Sequence, residues 1–217
     1  RAVLGGKGAS LAQLGLAGLP VPRWFAISPD AFAASLSADQ LAALAAATSA
    51  DGIRSVLSDL RPSEDVVAAI MAELDALGES GMLYAVRSSA VEEDGLVSSY
   101  AGQLDSFLEV SACDVPARVA DVWRSGFGER VFAYRSERGL SGSPSAPAVI
   151  VQHMVDAHAA GVAFGTDPVS GRADLAVVAG VAGLGDSLVS GDADADTWRV
   201  DRTHRIVEHT AVGASSP

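Results

Sequence analysis

The stretch LYAVRSSAVEEDGLVSSYAGQLDSFLEV, residues 83–110, joins two apolar runs through a long polar loop. The first run ends on Arg87, and the second begins at Ser106. Short apolar, β-branched and aromatic runs that are bounded by polar and glycine residues favour β-strands. The stretch therefore predicts two paired strands, MLYAVR and SFLEV, with the loop 88–105 between them.

Arg87 stands at the end of the first predicted strand. A guanidinium is costly to bury in an apolar setting unless it meets an anion. Two interpretations stay open from the residues alone: Arg87 binds an anionic ligand, or it pairs with an acidic residue of the run that follows, Glu92, Glu93 and Asp94. The loop also contains Gly102 and several hydroxyl side chains, as a flap over phosphate groups would need.

A second candidate for anion binding is GGKGAS, residues 5–10, which places Lys7 between glycines. We predict a glycine turn here, followed by a helix from Ala9 to about Ala17 with Leu11, Leu14 and Leu16 on its inner side. Glycines let backbone N–H groups approach a ligand, a helix N-terminus favours negative charge, and lysine adds a mobile point charge. The spacing is not that of a Walker A loop. A plain glycine turn with a solvated lysine therefore stays an alternative.

The rest of the chain indicates an α+β fold. We predict a strand over Trp24–Ile27, followed by a helix with Ser28 as its N-cap and Pro29 in its first turn. Three short helices are predicted within residues 38–78, and one helix from about Asp114 to Gly139. A run of strands is predicted from AVIVQHMV to TWRVDR. We divide the chain into residues 1–80, a helical and glycine-turn part, and residues 81–217, a mixed strand and helix part.

Composition limits the partners and the compartment. The 217 residues carry a net charge of −12 with a pI near 4.6, which argues against sequence-independent binding of nucleic acid. The lone cysteine, Cys113, cannot form an intrachain disulfide and suits a reducing compartment. The apolar runs are too short to span a bilayer. We expect a soluble, cytoplasmic protein without a membrane or nucleic-acid partner.

Patterns for metal and dinucleotide binding are weak. Asp192, Asp194 and Asp196 alternate as in a calcium loop, but the glycine and the terminal glutamate of that loop are missing. The glycines of VAGLGDSLVSG, residues 181–191, do not form a dinucleotide fingerprint. The four histidines show no metal spacing with cysteine. We therefore predict no metal ligands in this chain.

Taken in order, several segments resemble the N-terminal nucleotide-binding domain of the phosphoenolpyruvate synthase and pyruvate phosphate dikinase family, which includes the rifampin phosphotransferases. The segments are GGKGASLAQLGLAGLPVPRWFAIS, AVRSSAVEEDGLVSSYAGQLDSFLEV, VFAYRSERGL, VIVQHMVDAHAAGVAFGTDPVSG and GLGDSLVSG. They cover nearly the whole chain.

The resemblance implies an ATP-grasp-like domain of two α+β lobes that clamp ATP. It implies that Lys7 and Arg87 bind and polarise the phosphates as catalytic residues, with Gly102 in the phosphate flap and Ser106 where the family usually has threonine. Gln152, Met154 and Val155 match the segment that lines the adenine pocket through backbone polar groups and apolar side chains.

The chain also departs from the family. The D-x-E-W and Q-x-R-P segments, which provide magnesium ligands and another phosphate-binding arginine, are absent, as are the phosphohistidine and acceptor-binding domains. We therefore expect a domain that is truncated at its C-terminus, with Mg²⁺ ligands outside this chain. The resemblance implies an ATP-dependent, dikinase-type phosphotransferase that is incomplete as this chain alone. A rifampin phosphotransferase-like domain and a non-catalytic nucleotide- or partner-binding module are the alternatives.

Overall fold

The computed structural model describes residues 3–47, 49–78, 81–90, 104–139, 144–201, 203 and 205–211. The chain forms two compact units, Arg1–Met154 and Val155–Pro217. Residues on both sides of position 80, where we divided the sequence, belong to the first unit. Both units are described separately below.

The first unit combines helices with one antiparallel sheet. Its helices are α1 (Gly5–Leu16), α2 (Pro29–Ala34), α3 (Ala38–Ala46), α4 (Ala50–Val56), α5 (Glu64–Leu77), α6 (Val115–Ser125) and α7 (Glu129–Glu137). Its strands are β1 (Trp24–Ile27), β2 (Leu83–Ser89), β3 (Ser106–Ser111) and β4 (Ala148–His153), in the order β1-β4-β2-β3. Because β1 pairs with β4, the sheet joins the two parts into which we divided the sequence.

One face of this sheet packs on the core. Val86 of β2 and Val151 of β4 are directly paired and fully buried, in the same apolar cluster as Trp123 of α6. Burying a side chain of this size stabilises the fold by about 1.5–3 kcal/mol. The core thus occupies one face of the sheet and leaves the opposite face to other residues.

Several sequence predictions are confirmed. Strand β1 has the predicted bounds, Ser28 is the N-cap of α2 with Pro29 in the first turn, and β2 pairs with β3. The segment 38–78 forms three helices, and each of them begins after a serine whose hydroxyl accepts a bond from the first turn. These features depend on short sequence signals.

Two helix predictions are wrong. Helix α1 begins at Gly5 rather than Ala9, and its small N-terminal residues are buried while Leu14 and Leu16 are exposed. The single helix predicted for residues 114–139 is two helices, α6 and α7. Gly128, the N-cap of α7, has an extended backbone with ψ of 160°, which no helix can continue through.

The second unit is a four-stranded antiparallel sheet in sequential order. Its elements are β5 (Ala159–Phe164), β6 (Leu175–Ala182), α8 (Asp186–Ser190), β7 (Asp196–Asp201) and β8 (Ile206–Thr210). We did not predict α8 or β8. Among its described residues, the buried apolar side chains are Leu175 and Val177.

A search for membrane-spanning segments among the described helices finds none with the necessary length and apolar character.

Candidate functional site

The sheet of the first unit brings three predicted site residues to one face. Arg87 of β2 pairs directly with Ser106 of β3 and with Ile150 of β4. Directly paired residues in an antiparallel sheet point to the same side, as do residues two apart in one strand. Arg87, Ser106 and Gln152 therefore share the face opposite the core. Arg87 itself lies within β2, which continues to Ser89, and is not the last residue of the strand as we predicted.

Helix α1 packs on this same face. A Cβ added at Gly8 would lie 3.2 Å from Ile150 Cδ1, so the helix backbone approaches the side chain that pairs with Arg87. Gly5 has a φ of +66°, and a Cβ there would lie 2.2 Å from the carbonyl oxygen of Ser89. Glycine is required at this position because a side chain would collide with strand backbone.

Lys7 lies in the first turn of α1, between these two glycines. Its ammonium donates to the backbone carbonyl of Ser88 at 3.1 Å, one residue beyond Arg87. Lys7 is also the only lysine in the chain. The fold thus brings Lys7 to the strand that carries Arg87, although 80 residues of sequence separate the two side chains.

The N–H groups around Lys7 are not directed at a ligand, contrary to what the predicted glycine turn suggested. Gly6 N–H donates to the carbonyl of Ala90 at 3.1 Å, and Gly8 N–H donates to the hydroxyl of Ser89, also at 3.1 Å. The glycines therefore serve the close approach of α1 to β2. The side chain of Lys7, and not the amides of its neighbouring glycines, is the group that could meet a phosphate.

The segment predicted to line an adenine pocket uses its donors within the chain. Gln152 is buried, and its side-chain amide donates to the carbonyl of Pro22 at 3.4 Å. The N–H groups of His153 and Met154 donate at 2.9 Å to the carbonyls of Arg23 and Leu83. Val155 belongs to the second unit and is 54% exposed. The N–H groups of His153 and Met154 thus already have partners within the chain, and the role of this segment in binding adenine stays a prediction.

Some predicted residues lie outside the described ranges. These are Gly102 of the proposed flap and the three acidic residues considered as partners of Arg87, which are Glu92, Glu93 and Asp94. Ser106, the first residue of β3, lines a cavity of about 510 Å³ together with Phe107 and Arg118. The guanidinium of Arg118 lies 5.0 Å from the centre of the Phe107 ring.

Within the described ranges, no group of three or more His, Cys, Asp or Glu side chains is arranged to hold a metal ion. Mg²⁺ is commonly held by one or two carboxylates together with phosphate oxygens and water, so this result leaves the Mg²⁺ that the family resemblance implies untested. Ligands for magnesium outside this chain stay a prediction.

The sequence analysis missed two polar residues with well-defined partners. Ser89 is fully buried, and its hydroxyl contacts two groups at the start of α1. Asp167 is 4% exposed and accepts bonds from Ser170 and Val169 in the turn of the second unit. The signal for Asp167 was the run DPVSG, where an aspartate precedes proline and a serine lies three residues on.

Comparison with known proteins identifies the family of the chain. Residues 1–216 match the family model described as pyruvate phosphate dikinase, AMP/ATP-binding domain. The chain belongs to this family. As a member of the pyruvate phosphate dikinase AMP/ATP-binding domain family, it is an ATP-binding domain of the group that also contains the phosphoenolpyruvate synthases. The family resemblance noted from the sequence is therefore confirmed, together with a mixed α+β architecture.

The similar proteins are all longer than this chain. It is 38% identical to the rifampicin phosphotransferase of Streptomyces sviceus and to the prodigiosin synthesizing transferase of Serratia marcescens, with 96% and 92% of the chain covered. It is 34% identical to a probable phosphoenolpyruvate synthase of Methanothermobacter thermautotrophicus over 96% of the chain. The matched regions are 26%, 22% and 33% of these three proteins. The chain thus spans a third or less of the relatives that it matches.

Proposed function

We propose that the chain binds ATP on the face of the first sheet that carries Arg87, and that it does so as the ATP-binding part of a phosphotransferase. The observation that supports this most directly is the convergence of two remote cations. Lys7 reaches the carbonyl of Ser88, next to Arg87, in a chain whose net charge is −12. Two cations on elements that contact each other, α1 and β2, can provide a local site for a polyanion in such an acidic chain.

In this proposal, Lys7 and Arg87 bind the triphosphate. Arg87 offers a planar fork of donors that matches two phosphate oxygens, whereas Lys7 offers a compact charge that can follow a moving group. Phosphoryl transfer depends mainly on position and on neutralising the charge that the transferred group carries. The role of these two side chains is therefore to orient the phosphates and to stabilise the negative charge as the bond to the leaving phosphate breaks.

Ser106 and Gln152 complete the same face. Ser106 is exposed and directly paired with Arg87, which supports a role for its hydroxyl as a donor to a phosphate that Arg87 holds. Gln152, with its side chain bonded to Pro22, shapes the face and is not proposed as a direct ligand. For adenine we propose contacts with the apolar side chains of Met154 and Val155. Gly102 stays a proposed member of the phosphate flap.

The reaction class follows from the relatives. Their names describe phosphotransferases, a transferase and phosphoenolpyruvate synthases. We propose that the phosphoryl group passes from ATP to a histidine on another domain, in an ATP-grasp-like enzyme of the dikinase type. The acceptor is pyruvate in a phosphoenolpyruvate synthase-like protein or an antibiotic hydroxyl in a rifampin phosphotransferase-like one. The match to both kinds of relative supports either acceptor.

Variants of the two cations test the binding site. Lys7→Ala and Arg87→Ala should each weaken ATP binding by about 1.5–3 kcal/mol, tenfold or more in Kd, because each removes a charge-assisted contact with phosphate. Adenosine lacks phosphates, so its affinity should change less than twofold. Isothermal titration calorimetry with ATP and with adenosine measures both effects.

Arg130→Ala is the matched control, because it removes the same charge from an exposed position on α7. ATP affinity should stay within about twofold of the parent, as expected for a screened surface charge. If Lys7→Ala or Arg87→Ala lost as much affinity for adenosine as for ATP, this would contradict a phosphate site at Lys7 and Arg87. A loss of ATP affinity in Arg130→Ala as large as in these two variants would also contradict it.

A further inference from the structure

Two adjacent serines at the end of β2 are equally buried but differently bonded. Ser88 is 1% exposed and Ser89 is fully buried. The Ser89 hydroxyl donates to the carbonyl of Leu4 at 2.6 Å and accepts from the N–H of Gly8 at 3.1 Å. The Ser88 hydroxyl has no hydrogen-bond partner among the described residues. The Ser89 hydroxyl therefore joins β2 to the start of α1, whereas the Ser88 hydroxyl joins β2 to no other element among the described residues.

The Ser89 hydroxyl closes the first turn of α1 from outside the helix. Leu4 is the N-cap residue and makes no capping bond through its side chain, which cannot accept one. Gly8 lies four residues after Leu4, the spacing of the bond that closes a helical turn. Ser89, 81 residues away from Gly8, bonds to both of these groups. It therefore bridges the carbonyl and the N–H group of the first helical turn from outside the helix.

Lys7 is held between two of these contacts. The N–H groups of its neighbours, Gly6 and Gly8, donate to Ala90 and to Ser89 respectively. The backbone on both sides of Lys7 is thus tied to the end of β2, only two residues beyond Arg87. A hydroxyl is suited to the place because it can donate and accept at once, which alanine cannot do.

We propose that Ser89 is a positioning residue that holds Lys7 in place for the triphosphate of ATP. The inference rests on the proposed function, in which Lys7 binds phosphate. Ser89 itself touches neither nucleotide nor Lys7 through its hydroxyl. It acts by fixing the first turn of α1 against the strand that carries Arg87, so that both cations meet one ligand in a single geometry.

Ser89→Ala and Ser88→Ala form a matched pair, because each removes one buried hydroxyl from adjacent positions and leaves the backbone carbonyls in place. Ser89→Ala should weaken ATP binding about tenfold and leave adenosine binding within twofold, as an unfixed first turn lowers the fraction of chains with Lys7 in position. Ser88→Ala should leave both affinities within twofold of the parent. Calorimetry with both ligands measures this difference.

The position of Lys7 can be measured without nucleotide. Since Lys7 is the only lysine, incorporation of lysine labelled with ¹³C at Cε produces a single side-chain NMR signal. In Ser89→Ala this signal should move towards that of an unstructured lysine, whereas in Ser88→Ala it should stay at the parent position. Because this signal is measured without ATP, the two proposals can be tested separately. The positioning role of Ser89 can be refuted while the phosphate site at Lys7 and Arg87 is supported, and the phosphate site can be refuted while the positioning role is supported.

Three outcomes would overturn the inference: an unchanged lysine signal in Ser89→Ala, an equal shift in Ser88→Ala, or equal losses of ATP and adenosine binding in Ser89→Ala. If Ser89→Ala does not fold, the rate of amide hydrogen exchange in the parent chain tests the inference instead. The Gly8 amide, bonded to a buried hydroxyl, should exchange at least a hundredfold more slowly than a free glycine amide. Exchange at the free rate would show that the Ser89 bond does not hold the turn.

Discussion

Asp167 shows how one carboxylate can organise a turn. Its oxygens accept from the hydroxyl of Ser170 at 2.7 Å and from the N–H of Val169 at 2.9 Å, and the guanidinium of Arg199 lies 3.7 Å away. The bond from Ser170, followed by that from Val169, holds the pKa of Asp167 below its usual value. The folded state therefore favours the ionised carboxylate.

We expect Asp167→Asn to destabilise the second unit in a pH-dependent way. Because the native pKa is lowered, the contribution of the carboxylate is complete above the unfolded value of about 3.9 and is lost as pH falls through the native value. The difference in free energy of unfolding between parent and variant should thus be largest at pH 7 and smallest near pH 3. Urea unfolding, followed through the NMR signals of β5–β8, measures it.

Asp59→Asn makes the same charge change at an exposed loop position and should alter the stability at pH 7 by less than about 0.5 kcal/mol. A difference between parent and Asp167→Asn that stays constant from pH 7 to pH 3 would show that the carboxylate acts through its shape alone.

At the scale of elements, the break between α6 and α7 illustrates how packing ends a helix. The sequence from 114 to 139 has apolar residues at helical spacing, and we predicted one helix. In the structure, a Cβ added at Gly126 would lie 2.7 Å from Pro147 Cδ and 3.2 Å from the carbonyl oxygen of Trp123. The chain that precedes β4 thus passes against the end of α6, where only a glycine leaves room.

We expect Gly126→Ala to lower the free energy of unfolding by about 1–3 kcal/mol, because the added methyl overpacks against Pro147. Gly15→Ala is the control. Gly15 lies inside α1 with no atom within 4 Å of an added Cβ, and alanine there should stabilise the chain by about 0.5–1 kcal/mol. Urea unfolding of the three proteins gives both values. A stabilising effect of Gly126→Ala would mean that the proline can move away.

Elements were predictable where their signals were local. Strand β1, the Ser28 and Pro29 start of α2, and the pairing of β2 with β3 were all predicted correctly, since each depends on residues close in sequence or on a simple apolar pattern. The start of α1 was not predictable in this way, because the hydroxyl that bonds to its first turn comes from Ser89. Strand β8 was missed because its five residues are all exposed and show no apolar alternation.

At the scale of the whole molecule, the proposed activity needs more than this chain contains. The matched regions amount to 22–33% of three relatives. We propose that the phosphohistidine, the acceptor site and the remaining phosphate ligands lie on parts that these relatives have in addition. Lys7 and Arg87 can neutralise only part of the charge of a transferred phosphoryl group, so efficient transfer depends on those other groups.

We therefore expect the chain alone to release AMP from ATP no faster than the uncatalysed background. Addition of the separately produced remaining domains of a relative, such as a phosphoenolpyruvate synthase, with its acceptor should raise AMP release at least a hundredfold. The same mixture with the Lys7→Ala chain should lose most of that increase. Chromatographic quantification of AMP measures all three. Rapid AMP release by the chain alone would contradict a division of the reaction between domains.

The sequence by itself determined the family and two side chains of the candidate site. The ordered segments from GGKGAS to GLGDSLVSG identified the family, and through it they predicted Lys7 and Arg87 as phosphate ligands, a role that stays a proposal. Composition and strand patterns determined an α+β fold. These conclusions were accessible because they depend on residue types and on spacing within short stretches, which the sequence displays directly.

Only the tertiary structure decided how these residues meet. The register of β2 with β3 and β4 places Arg87, Ser106 and Gln152 on one face, and a shift by one residue would have turned Arg87 towards the core. The bond that the Gly8 N–H donates to the Ser89 hydroxyl joins the first turn of α1 to β2, to which Lys7 also bonds. Both results depend on contacts between residues some 20 to 80 positions apart. Such contacts form only when the sheet is assembled, so no local pattern in the sequence could reveal them.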